Sequence, residues 1–168
     1  MITPNEFWKL LRESELVPSE QLSHLHSKYQ VTLSAETSDT DGDVDLIAKW
    51  LIKQQAITTY QARILLKGRK GPFKFGHYQV QNRISAGPLK GWFQARHHKT
   101  DHPVILHFLT GDECQQPIFF GPIIQRVKVF AALRNPHIWR IYVLVNETAY
   151  RYVVLQDEII RTPEIQSL

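Results

Sequence analysis

Apolar and polar positions alternate with two different periods along this chain, and the change falls near residue 75. Before it the spacing is helical. Thr3 and Glu6 have the separation of a capping box, Pro4 stands at the first helical position, and Phe7, Leu10 and Leu11 follow on one face. A second helix restarts at Pro18 and Ser19 through "SEQLSHLHSKY". The stretch "SAETSDTDGDVD" is polar, acidic and glycine-containing, so it reads as a linker whose last aspartates cap a third helix carrying Leu46, Ile47, Trp50 and Leu51. Thr58 and Gln61 form another capping box, and Gly68 suits the left-handed residue that ends a fourth helix. Four short helices are therefore expected before residue 70.

Beyond residue 75 the period becomes two. "FGHYQVQNRI", "GWFQARH" and "PVILHFLT" read as three strands, and "WRIYVLVNETAYRYVVLQ" as two more about a turn at Asn146 and Glu147. Between them, "FGPIIQRVKVFAALRN" places Ile124, Val127, Phe130, Ala131 and Leu133 at helical spacing, which predicts a helix near 118–134. The expected fold is α+β: a helical unit over 1–70, a glycine- and proline-containing hinge over 71–75, an antiparallel sheet crossed by one helix over 76–160, and a tail over 161–168.

Composition adds limits. With 168 residues, 43% of them hydrophobic, the chain can bury a core without staples, and its single cysteine, Cys114, excludes an internal disulfide and a four-cysteine zinc site. No apolar stretch approaches the roughly 20 residues that span a bilayer, and "MITPNEFWKLL" lacks the features of a signal peptide, so a cytoplasmic protein without membrane attachment is expected. The net charge of +4 is unevenly placed: residues 1–60 carry five Lys/Arg against nine Asp/Glu, and residues 61–140 carry thirteen against three. A basic middle can attract phosphates or acidic protein.

Metal and thiol chemistry find little purchase. Neither register of "DTDGDVD" supplies the glycine and final glutamate of a calcium-binding EF-hand loop. The cluster His97, His98, Asp101 and His102 holds potential metal ligands but reads as a solvated turn between two strands, and no histidine motif near Cys114 would activate its thiol.

The order of segments resembles the N-terminal lobe of a protein kinase, in particular that of large bacterial serine/threonine kinases. In that family a helical segment like "LLTRYQAEQLLxG" leads into "LGxYxVLxxLGxGGMGxVYxA"; here "AITTYQARILLKG" leads into "FGHYQVQNRISAGPLKGWFQA". "VILHFL" stands where the family has "VALKVL", "RNPHIWRIY" where it has "xHPHIVRLY", and "YVVLQDEI" resembles the segment entering the hinge between the lobes. The resemblance covers residues 45–159 and implies a kinase-lobe sheet with an αC-like helix.

It also implies a set of nucleotide-site equivalents, and most of them depart from the family. A kinase glycine loop closes its backbone over the phosphates with three glycines; the equivalents here are Ser85, Gly87 and Lys90, with Gly91 one place late and Pro88 lacking a donor. His107 stands for the phosphate-binding lysine, Arg126 for the αC glutamate that should pair with it, and Leu155 and Gln156 approach the hinge. The catalytic-loop and metal-binding residues of the family would lie beyond the hinge, after Leu168. The resemblance thus implies a degenerate, pseudokinase-like module with no catalytic residues, no metal site, and absent or weak binding of ATP and magnesium. Its expected partner is a protein, self-association included. The alternatives are the N-terminal part of a serine/threonine kinase whose C-lobe is supplied elsewhere and, from the basic middle, nucleic-acid binding, for which no motif with stacking aromatics is present.

Overall fold

The computed structural model describes residues 2–35, 43–110, 117–133, 140–147 and 150–157. The chain is α+β and divides into two compact units, Met1–Asn82 and Arg83–Leu168. The first unit opens with four helices: α1 (Pro4–Glu13), α2 (Ser19–Ala35), α3 (Val44–Lys53) and α4 (Thr59–Leu66). Both capping boxes form. At α1 the Glu6 amide donates to Thr3 Oγ1 (3.3 Å) and the Thr3 amide donates to Glu6 Oε2 (2.7 Å); at α4 Thr58 and Gln61 exchange the same bonds at 3.2 and 2.8 Å. Asp43 caps α3, accepting from the Asp45 amide at 2.9 Å.

These caps orient three apolar faces onto one core. Phe7 and Leu11 of α1, Leu51 of α3 and Leu65 of α4 are fully buried, with Leu22, Leu25 and Tyr29 of α2 packed beside them. Trp8, Tyr29 and Trp50 form an aromatic chain, with centroids 6.2 and 5.3 Å apart. The helix α2 continues to Ala35, so it enters the segment expected as linker; residues 36–42, which include Asp39 and Asp41, lie outside the described residues.

The charge on Glu6 gives a pH test of the first cap. Its pKa is lowered from the ordinary 4.5, chiefly by the hydrogen bonds from the Thr3 backbone and side chain. A carboxylate whose folded pKa is depressed contributes stability above its unfolded pKa and loses it as pH falls through the folded value. The wild type should therefore exceed Glu6→Gln in stability at neutral pH, and the two should converge as pH falls through and below 4.5. Parallel urea titrations over this range check it; a pH-independent difference would refute the charge-based account.

After Gly68, which adopts φ +73° as a helix-ending glycine should, the basic segment 69–74 turns inward. Gly71 sits at φ +118°, and a Cβ there would meet the Phe73 amide nitrogen at 2.7 Å, so only glycine permits the turn that buries Phe73 among the helices. Here the structure adds a strand. Lys74–Phe75, within the segment read as a hinge, form β1 against β2 (Tyr78–Arg83), so the sheet has six strands rather than five. Two residues are too few for a period to show in sequence.

The sheet is antiparallel in order β1-β2-β3-β4-β6-β5, with β3 at Phe93–His97, β4 at Pro103–Phe108, β5 at Ile141–Asn146 and β6 at Arg151–Gln156. A fifth helix, α5 (Pro117–Ala132), lies between β4 and β5 in sequence and packs against β5. The central strands are buried over Val104–Leu106 of β4 and Tyr152–Leu155 of β6, with Leu106 opposite Val154 and Phe108 opposite Tyr152. Both are apolar at nearly every position for that reason.

Candidate functional site

The loop from Ile84 to Gly91 is the first feature to place, because the resemblance sets it over nucleotide phosphates. It is a closed turn. The Ile84 amide donates to the Trp92 carbonyl and the Gly91 amide to the Ile84 carbonyl, both at 2.8 Å, which makes the two ends a hydrogen-bonded pair. Inside the turn the Lys90 amide donates to Gly87 O (3.1 Å) and the Trp92 amide to Leu89 O (3.0 Å). Pro88 has no amide hydrogen. A phosphate cradle needs free backbone donors aimed at one point; here those of Lys90, Gly91 and Trp92 are consumed by the loop itself.

The side chains repeat this closure. Leu89, from the middle of the turn, is 6% exposed and packs with Ile105, Val153 and Leu155. Ile84, Trp92, Val127, Ile141 and Leu144 surround that cluster. Strand register explains the grouping: Ile105 lies opposite Leu155, His107 opposite Val153, and Leu144 opposite Val153, so all five share one face of the sheet. Leu89 is thus inserted into the core of the second unit.

Of the residues the sequence singled out, Ser85 and Lys90 are exposed on the loop, and Gly87 and Gly91 supply its positive φ angles of +75° and +97°. His107 lies in β4, half-buried, with its imidazole stacked on the Trp92 indole at 4.3 Å between centroids and 26° between planes. The indole covers a face of the ring. Leu155 is buried against Leu89, and the Gln156 amide donates to the Arg140 carbonyl at 2.8 Å at the end of β6. Arg126 is exposed on α5. The structure gathers Leu155 and the loop around one cluster, keeps His107 on the same sheet face, and leaves Lys90 and Arg126 in solvent.

The histidine-rich turn between β3 and β4 uses its groups locally. His97 Nδ1 accepts from the Lys99 and Thr100 amides, each at 3.3 Å, and Arg96 pairs with Asp101 at 2.6 Å. Accepting at Nδ1 places the neutral ring's proton on Nε2. Among the described residues no group of three or more potential ligands is placed to hold a metal. Cys114, the "NPHI" segment and residues after Asp157 lie outside the described residues.

Two features escaped the sequence reading. Asp157, directly after Gln156, is buried at 7% exposure, although "LQDEI" carries no periodic signal for it. On α5, Val127 packs inward while Val129 and Phe130 are 62 and 43% exposed, and Leu133, just past the helix end, is 42% exposed. The spacing had placed Phe130 and Leu133 on the same face as Val127; the helix is apolar on two sides. Tyr142 and Val143 on β5 are also 40% exposed, and β5 is an edge strand.

A comparison of the chain with protein-family models returned no match, and neither did one with curated proteins. Among the described residues no helix is long and apolar enough to cross a membrane.

Proposed function

We propose that this chain is a non-catalytic, pseudokinase-like interaction module of the cytoplasm, a degenerate kinase N-lobe preceded by a helical unit. The observation that carries the reading is Leu89. In a nucleotide-binding lobe the loop must arch away from the sheet and present amides to phosphate; here its central side chain is packed on Ile105 and Leu155, and the amides of Lys90, Gly91 and Trp92 are spent within the turn. His107 brings no permanent cation to this face, and Arg126 stands as a positive group where the family has a carboxylate.

What the nucleotide face lacks, the α5 and β5 surface offers to a protein partner. Val129 and Phe130 on α5, Leu133 just past its end, and Tyr142 and Val143 on the edge strand β5 are large apolar residues exposed to solvent. Apolar side chains exposed on a helix and along an edge strand offer surface for association. Phe130→Asp should lower the unfolding midpoint only modestly, because 43% of the residue is already exposed, while suppressing the binding of an apolar dye and any concentration-dependent association seen by light scattering. A strictly monomeric wild type that binds no dye at high concentration would contradict the proposed surface.

A further inference from the structure

The first unit contains a cleft of about 360 Å³ between α1 and α2, lined by Asn5, Trp8, Lys9, Arg12, Leu22, Ser23, His26 and Ser27. Its lining follows from helix geometry. Asn5, Lys9 and Arg12 are spaced by four and three residues, a single stripe of α1 beside the buried Phe7, Trp8 and Leu11. Ser23, His26 and Ser27 form the matching stripe on α2, and Trp8 and Leu22 join the two at the floor.

The chemistry of this lining is one-sided. Lys9 and Arg12 bring two permanent cations, His26 and Asn5 bring N–H donors, and no carboxylate lines the cleft. The nearest acids on α1 are engaged elsewhere: Glu6 is held by Thr3, although Lys9 also acts on its charge, and Glu13 pairs with Lys70 at 3.2 Å. Neither Lys9 nor Arg12 forms an ion pair among the described residues. His26 is fixed by an edge-to-face contact with Trp8 at 4.8 Å between centroids. The Ser23 and Ser27 hydroxyls donate to carbonyls one turn back, at 3.1 Å each, and can rotate toward a ligand instead.

We propose that this cleft binds a small phosphomonoester. A guanidinium fork can hold two oxygens of one phosphate, and an ammonium beside it supplies the second charge that a dianion requires. The volume lies near the lower end of small-molecule sites, which run from about 300 Å³ upward, so the occupant is compact.

The test uses the whole chain, titrated at constant ionic strength with inorganic phosphate, phenyl phosphate, dimethyl phosphate or acetate while backbone amide NMR shifts are recorded. Phosphate and phenyl phosphate should give saturable shifts concentrated at Asn5–Arg12 and Leu22–Ser27, with phenyl phosphate the tighter of the two if the ester group uses the Trp8 floor. Lys9→Gln and Arg12→Gln should each weaken binding by about tenfold, the loss expected for one charge-assisted contact. Lys49→Gln, an exposed charge on α3, should leave it unchanged. Shifts that do not saturate, that spread over all basic residues, or that dimethyl phosphate and acetate reproduce equally would overturn the proposal. Should a variant fail to fold, the wild-type shift map and the ranking of the four anions decide alone.

Discussion

Leu89→Ala is expected to destabilise the second unit by about 2–3 kcal/mol, toward the lower part of the range for a buried leucine truncated in a core. Leu89 is 6% exposed and touches Ile105, Val153 and Leu155, none of which can close the gap without moving a strand. The size of the effect is diagnostic. If the turn were an open flap above a nucleotide pocket, Leu89 would be solvated and its truncation would change stability by less than about 0.5 kcal/mol. Chemical denaturation followed by the NMR signal of the Trp92 indole N–H separates the outcomes, since that indole borders the same cluster.

Gln61→Ala carries the second large effect, about 2–3 kcal/mol in the first unit. Gln61 is 1% exposed and makes two kinds of bond: its Oε1 accepts from the Thr58 amide at 2.8 Å and its Nε2 donates to the Val80 carbonyl at 2.7 Å. Each neutral bond contributes about 1 kcal/mol net, and an orphaned buried partner adds a desolvation cost of about 1–3 kcal/mol. Thr58 binds the same stretch, its Oγ1 donating to the Gln81 carbonyl. The capping box of α4 thus fastens β2 as well as starting a helix. Thr58→Ser, which keeps the hydroxyl, should cost far less than Gln61→Ala; a Gln61→Ala loss as small as that of Thr58→Ser in urea unfolding would contradict the contribution of the two Gln61 bonds.

That dual role illustrates what the sequence reveals and what it hides. Thr58 and Gln61 announce a helix start because the signal is local, three residues apart, and the same holds for Thr3 with Glu6 and for Gly68. Their bonds to Val80 and Gln81 join residues about 20 positions apart, and no local pattern encodes them. Period two exposed the long strands, whereas β1, at two residues, has no period to read. On α5 the apolar residues exceed what one helix face can hold, so spacing alone could not separate Val127, which is packed, from Phe130, which is not.

The candidate site shows the same division. Ser85, Pro88, Lys90, His107 and Arg126 were identifiable as departures from a phosphate-binding pattern because each is a change of residue type. Leu89 carries no such signal. In sequence it is one apolar residue inside a turn, and only the register that sets Ile105 opposite Leu155 creates the depression it fills. The stacking of His107 on Trp92 likewise depends on the pairing of β3 with β4 and on the hydrogen-bonded end of the loop. The cleft at Lys9 and Arg12 needs α2 laid beside α1, so two ordinary surface cations become neighbours of His26 only after folding.

On the proposed reading the hairpin loop at 84–92 carries no phosphate-binding chemistry, and thermal unfolding in the presence of ATP and magnesium tests this most directly. A ligand at 100 times its dissociation constant stabilises a fold by about 2.7 kcal/mol, which is readily seen as a shift in midpoint. To keep the reading of the loop separate from the α1–α2 cleft, the titration is run on Lys9→Gln/Arg12→Gln. The account predicts no shift at millimolar ATP and magnesium; a saturable shift that disappears in Lys90→Ala would contradict it and show that the loop still holds phosphate.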